Sequence, residues 1–365
     1  GLFYKLLPHF PISHWTLLYK WYSSLEVFVS LNGNHSDLFY VTRGTRQGSI
    51  LSPQLFNLFI NDLLSELSSC KSGARFGSYH FNSFAYADDI SVYSLTAPGL
   101  QELIDICCCY ANSWRFRFGI KKTKCITFGR EILKDSPKWT LGNSLIENVE
   151  STEILGTEFC NNRSATLHTD KRIKASRSAM FRYTHVGYSY PGLSSDVKSY
   201  LWKSVGLPTL CYGLETLSLS KNTLKRIETV QASSIKHALG IPVRSHHTQL
   251  LSAMDIGPVE KQVLHNALSL WHRIFKVDSP VRNLNSYILS RHILEGVIPP
   301  GTLFERVYNS GLSPLGSIFQ KPIISKIADG NCGVIDSLRY MIMHENFIKP
   351  YSDEHTLAVL LTKAF

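Results

Sequence analysis

The spacing of apolar residues changes several times along this chain, and each change predicts an element. Leu55, Phe56, Phe59, Ile60, Leu63, Leu64 and Leu67 fall three or four apart, the spacing of one helical face. Ser52 and Pro53 stand just ahead of them, suited to an N-cap and a first helical position. A second stripe runs through Leu100, Leu103, Ile104, Cys107, Ala111 and Trp114. Between the two stripes lies "FAYADDISVY", Phe84 to Tyr93, two short apolar runs with Asp88 and Asp89 side by side where a strand should turn back. Upstream, "HWTLLYKWYSSL" predicts a helix and "VFVSLNGNHSDLFYVTRG" a hairpin about Asn32-Gly33. Downstream, "KKTKCITFGR" reads as a strand entered from a basic turn, and "WTLGNSLIENVESTEILGTEF" as hairpin-like strands with Gly142-Asn143 at a turn. This order predicts an α+β fold, an antiparallel sheet backed by helices rather than a doubly wound sheet.

Beyond about residue 160 the pattern becomes helical. "HTDKRIKASRSAMFRYTH" carries basic residues on its outer side. Leu224, Ile227, Ile235, Ala238 and Leu239 share a face that Gly240 and Pro242 bring to an end. Val263, Leu264, Ala267, Leu268, Trp271, Ile274 and Phe275 mark another helix behind Pro258. The chain therefore divides into 1–160, 161–280 and a segment 281–365 in which no motif is legible. No internal repeat appears.

Composition narrows the class. The chain has 365 residues, with 38 Lys and Arg against 28 acidic residues, a formal net charge of +10. That excess favours polyanionic partners, nucleic acid before a membrane surface, although a basic face can also serve solubility alone. No apolar run is long enough to span a bilayer. The eight Cys include Cys107-Cys108-Cys109 but no Cys-x-x-Cys pair, which indicates neither a zinc site nor a disulfide framework. A reducing, intracellular setting is the default for such a chain.

The paired aspartates admit two readings. Asp is at home in turns, but a tight turn does not need two like charges. Adjacent carboxylates on a hairpin are also hard oxygen ligands for divalent cations working on phosphates.

Arg46-Gln47-Gly48, then Leu51-Ser52-Pro53 and Phe56, and downstream Tyr86-Ala87-Asp88-Asp89, resemble the reverse transcriptases of non-LTR (LINE-type) retrotransposons. "KKTK" at 121–124, "EILG" at 153–156 and "VGLPTLCYGLETL" at 205–217 follow in the family's order, so that the resemblance covers about residues 1–275. It implies a right-hand polymerase palm followed by a helical thumb, and RNA-directed DNA polymerase activity by two-metal nucleotidyl transfer. The implied partners are an RNA template, a DNA primer, deoxynucleoside triphosphates and two Mg²⁺ ions, with Mn²⁺ as the alternative metal. By the same resemblance Asp88 and Asp89 hold metal and serve catalysis with Lys122, which would help protonate the leaving pyrophosphate. Arg46, Gln47, Gly48, Tyr86 and Ala87 would lie along template, nucleotide and primer end, and Ile154, Leu155 and Gly156 would form the primer grip. At least transient residence in the nucleus is implied too.

The family places a further catalytic Asp on a strand ahead of the part that matches "GLFYKLL", and basic fingers before it. Asp62 and Asp105 sit in helical contexts and substitute poorly. The expectation is therefore a truncated palm with an incomplete metal site and no extension activity of its own. The alternatives are a non-catalytic nucleic-acid-binding remnant of a decayed element, and a relative of group II intron maturases or of telomerase.

Overall fold

The structure, a computed structural model, describes residues 1–286 apart from 42, 43, 45–47, 77, 129–136, 190 and 280. Two compact units are present. One comprises Gly1–Cys125 with Asp135–Glu147, and the other the remaining described residues.

In the first unit, α1 (Leu2–Leu6) and α2 (Ile12–Ser23) are followed by two small hairpins, β1 (Glu26–Val27) with β4 (Phe39–Tyr40) around β2 (Ser30–Leu31) with β3 (Asn34–His35). The β2–β3 turn is Asn32-Gly33, both left-handed at φ +51° and +82°, the signature of the type I′ hairpin turn that this pair predicts. Helix α3 (Ser52–Ser69) then buries Leu55, Ile60, Leu63 and Leu67. At about 1.5–3 kcal/mol for each fully buried side chain, this stripe is what holds the helix in place. Ser52 is the first helical residue and not the N-cap. A turn closed by Ser52 N–H to the Ser49 carbonyl (3.2 Å) runs into the helix and moves the cap to Leu51.

Strands β5 (Ala74–Phe76), β6 (Tyr79–Phe81), β7 (Ser83–Tyr86) and β8 (Asp89–Val92) lead to α4 (Ala97–Ser113). Helix α4 is used on two sides. Leu103, Cys107 and Tyr110 meet Ile60, Leu63 and Leu67 of α3. Ile104 and Leu100 meet Cys125, Trp139 and Ile146 from β9 (Lys124–Cys125), β10 (Trp139–Leu141) and β11 (Ser144–Asn148). The Gln101 amide adds a strand-like pair, donating to the Thr140 carbonyl (2.8 Å) and accepting its N–H (3.0 Å).

The α+β class holds, with antiparallel pairing in β1–β4, β2–β3, β5–β6, β7–β8, β10–β11 and β12–β13, but the single backed sheet does not. Among the described residues the strands form one three-stranded and five two-stranded sheets. The strands are two to five residues long; β7–β8 and β10–β11 find apolar partners on helices α3 and α4, whereas β2–β3 lies exposed. The strand expected within "KKTKCITFGR" is likewise reduced to Lys124–Cys125, beside β11.

The second unit opens with hairpin β12 (Ser151–Ile154) and β13 (Thr157–Cys160), then α5 (Thr166–Phe181), α6 (Ser195–Leu201), α7 (Leu207–Cys211), α8 (Lys221–Leu239), α9 (Thr248–Ala253) and α10 (Val259–Lys276). Trp202, Leu210, Leu214, Ile227, Ile235 and Val259 centre its core. The Trp202 indole donates to Gln231 (3.1 Å), whose amide donates to the Gly257 carbonyl (3.0 Å), so this buried polar pair leaves little unsatisfied. Glu228 accepts the first N–H of α10, from Val259 (2.7 Å), placing a carboxylate at a helix N-terminus. Helix α8 ends at Gly240 (φ +68°), as its sequence predicts. No described helix is long and apolar enough to cross a membrane.

Candidate active site on an acidic hairpin

Strands β7 and β8 pair in register, Ser83 with Val92, Phe84 with Ser91, Ala85 with Ile90 and Tyr86 with Asp89. Ala87 and Asp88 are left as the loop. Ile90 and Val92 pack against the α3–α4 core. Strand alternation then puts Asp89 and Ser91, with their partners Tyr86 and Phe84, on the face turned away from it. That face is open. Tyr86 is 67% exposed and Phe84 50%, and Phe84 stacks on Tyr93 with ring centres 5.3 Å apart. Burial pushes the Tyr93 hydroxyl up to about 12, so it stays a neutral phenol there.

Both aspartates are exposed, and neither forms an ion pair among the described residues. Neighbouring like charges repel one another weakly in water, a cost that no ion pair among the described residues relieves. A second cost sits beside it. Ala87 is left-handed at φ +51°, a conformation that costs a residue with a Cβ roughly 1–2 kcal/mol and that concentrates at functional turns.

The base of the hairpin is rigid. Asn82 is buried, and its side-chain amide donates to the carbonyls of Leu67 and of Ser72 (3.2 Å), capping the C-terminal end of α3. Its own carbonyl accepts from Tyr93 N–H (2.9 Å), one more rung below the hairpin. A buried lysine braces the same helices. Lys5 Nζ donates to the Phe59 carbonyl (2.8 Å) and to the Tyr110 hydroxyl, pairs with Asp62 (2.8 Å), and lies 4.0 Å from the Trp114 ring centre. Neither Asn82 nor Lys5 was singled out from the sequence. The signal for Lys5 was a lone cation inside the apolar run "LFYKLL".

Asp62 is thus engaged by Lys5, and Asp105 accepts from Gln101 (2.8 Å). Among the described residues no three His, Cys, Asp or Glu side chains gather as a metal cluster. Burial pushes the thiols of Cys107 and Cys211 up to about 12 and that of Cys125 to about 11, so they stay protonated at neutral pH. What the hairpin offers a cation is a pair of hard, solvent-facing oxygens, which suits an ion that keeps waters and takes further ligands from phosphates.

Arg46 and Gln47 lie outside the described residues. Gly48 is exposed at φ +77° with open space where a Cβ would project, so its backbone angle and not crowding requires glycine. Lys122 is exposed in a turn closed by its N–H to the Gly119 carbonyl (2.8 Å), and makes no ion pair among the described residues.

Ile154, Leu155 and Gly156 belong to the other unit. Leu155 and Gly156 form the two-residue tip of β12–β13, left-handed at φ +50° and +77°, again a type I′ pattern. This hairpin is tied to helices. Tyr212, which follows α7, donates its hydroxyl to the Leu155 carbonyl (2.9 Å). Lys171 of α5 pairs with Glu153 and Glu158. His168, fully buried, accepts the Glu158 N–H at Nδ1 (3.1 Å), so its proton sits on Nε2 and is donated to the Tyr212 carbonyl (2.9 Å). Burial first, and then the charges of Arg172 and Lys171, hold its pKa below the usual imidazole value.

Comparison with known proteins agrees with the motif order. Residues 3–159 match the reverse transcriptase (RNA-dependent DNA polymerase) family. The chain is 25% identical over 249 residues to the RNA-directed DNA polymerase from mobile element jockey of Drosophila melanogaster, covering 66% of this chain and 27% of that protein. It is 38% identical over 145 residues to the Retrovirus-related Pol polyprotein from type-2 retrotransposable element R2DM of the same species, 36% of this chain and 13% of that one. To the corresponding type-1 R2 polyprotein of Popillia japonica it is 21% identical over 283 residues, 70% of this chain and 45% of that one. The chain thus spans about a quarter of the jockey polymerase.

Proposed function

We propose, from the match of residues 3–159 to the reverse transcriptase family, that this chain carries out part of the RNA-directed DNA polymerase reaction of a non-LTR (LINE-type) element. Its substrates are an RNA template, a DNA primer end and deoxynucleoside triphosphates. The Tyr86–Asp89 turn carries this reading. Inside the family-matched segment, two solvent-facing carboxylates stand together with no described cation to neutralise them. In it the first unit serves as palm and the helices of the second as thumb.

Asp88 and Asp89 would hold Mg²⁺, as two ions, with Mn²⁺ as the alternative. Bound cations supply stabilisation of the charge that gathers on the attacking and leaving oxygens. The chain's own residues do the rest. Tyr86 presents an exposed ring beside the primer end, and Ala87 adds only a methyl group at the turn. Gly48, Gln47 and Arg46 line template and nucleotide, and Lys122 delivers a proton to departing pyrophosphate. The Ile154–Gly156 tip holds the primer strand. The exposed Lys174, Arg177 and Arg182 follow the phosphate backbone. The reaction's place is, at least transiently, the nucleus.

The test is extension of a DNA primer on an RNA template by the natural protein. Template-directed synthesis that chelation abolishes is the expected result. Synthesis that ignores the template, or survives chelation, overturns the assignment. Binding that weakens with salt, by a log–log slope of about −0.9 per phosphate contact, but never leads to extension would favour a non-catalytic remnant.

A further inference from the structure

The β12–β13 turn needs no bond from outside to set its geometry. Four residue pairs form its ladder, and a type I′ turn suits its twist. A bond from outside therefore does something other than close it. That bond comes from Tyr212, whose hydroxyl reaches the carbonyl of Leu155, the left-handed residue at the tip. The ring itself is fixed. A Cβ on Gly156 would lie 3.1 Å from it, and the Arg172 guanidinium sits 5.1 Å from its centre while donating to the Thr209 carbonyl (2.8 Å). Its backbone is fixed by His168, and Gly213 beside it is so close that a Cβ would come within 2.6 Å of Thr157 Oγ1. Tyr212 is nonetheless 49% exposed and Leu155 47%, so the bond lies at the surface and not in the core.

We propose that Tyr212 is a positioning residue that fixes the Leu155–Gly156 tip against the helices, so that the tip meets a primer 3′ end in one orientation, with His168 setting the backbone from which Tyr212 reaches. The inference rests on reading this hairpin as the element that holds the primer.

The test compares Tyr212→Phe with the unaltered 365-residue chain, using two probes: an RNA–DNA duplex with a recessed DNA 3′ end, and the same duplex with blunt ends. The unaltered chain should prefer the recessed end. Tyr212→Phe keeps the ring and loses one hydrogen bond, so that preference should fall about fivefold. Blunt-duplex affinity and thermal stability should stay the same. An undiminished preference in Tyr212→Phe overturns the inference and leaves the primer-holding role standing. A parallel loss of stability and of affinity for both duplexes overturns it in favour of a merely structural bond. No preference in the unaltered chain overturns the primer-holding role, and the inference with it.

Discussion

The two hairpins β7–β8 and β12–β13 have the same ladder, four pairs closed by two residues, and opposite tips. In β12–β13 both loop residues are left-handed, one is glycine, and a tyrosine from another element grips the turn. In β7–β8 only Ala87 is left-handed, no glycine relieves it, and two charges protrude unpaired into solvent. One tip is satisfied by the protein, whereas the other keeps its cost, as expected of a surface whose partner is a ligand. Burial makes the same point at the roots. The acidic hairpin is anchored through Asn82 and the Ile90–Val92 face, behind the turn, and among the described residues no side chain bonds forward to its tip.

The largest expected effect breaks the open tip. Asp88→Asn in the natural protein should lower primer extension at least about a thousandfold, because metal-assisted charge stabilisation is worth several kcal/mol and each 1.36 kcal/mol is tenfold. Its unfolding midpoint should hold or rise slightly, since a repelling charge has gone. Rates within tenfold of the unaltered protein would show that this carboxylate does no chemistry.

The next breaks the satisfied tip. Gly213→Ala places a methyl group 2.6 Å from Thr157 Oγ1 and 2.9 Å from His168 Nε2, at φ +75°. Denaturant unfolding should show a loss of about 2–4 kcal/mol, overpacking and left-handed strain together. Gly48→Ala, with open space around it, should cost only the strain, about 1–2 kcal/mol. Equal losses would mean that crowding at Gly213 is relieved by small movements.

The smallest effect is a pH dependence confined to the latched hairpin. His168 has a folded pKa below its unfolded value near 6.5, because burial first, and then Arg172 and Lys171, disfavour its cation against the opposing pull of the Tyr212 carbonyl and of Glu158. Its contribution is complete above the unfolded value. As pH falls below about 6.5 the unfolded chain takes up a proton that the folded one refuses, and stability declines by at most about 1.4 kcal/mol per pH unit. Amide protection factors, corrected for the intrinsic pH dependence of exchange, should fall across residues 151–160 on acidification more than across residues 83–92. The reverse order would assign the titration elsewhere.

Much of this was legible because it is periodic or local. The Leu55–Leu67 stripe, the Asn32-Gly33 turn, the Gly240 stop and the hairpin around Asp88 each announce themselves within twenty residues. The grouping of strands into one sheet failed because sequence pattern gives strand positions and not neighbours, and here helices α3 and α4 take the place of adjacent strands. Asn82, His168 and Tyr212 were invisible for another reason. A single polar residue in an apolar run has no period, and its partner lies far along the chain, 15 residues for Asn82 with Leu67 and 44 for His168 with Tyr212.

Lys5 reaches furthest, and its reach has a consequence during synthesis. Its ammonium is buried by Phe59, Tyr110 and Trp114, and the Tyr110 hydroxyl lies 105 residues downstream. At roughly 5–20 residues per second, a ribosome delivers that partner about 5–20 seconds after Lys5 itself. Throughout that interval the cation must stay hydrated, and α1 cannot settle into its final seat. Helix α1, made before α3 and α4, therefore docks only once both are present, and the nascent chain carries its apolar residues uncovered until α4 emerges.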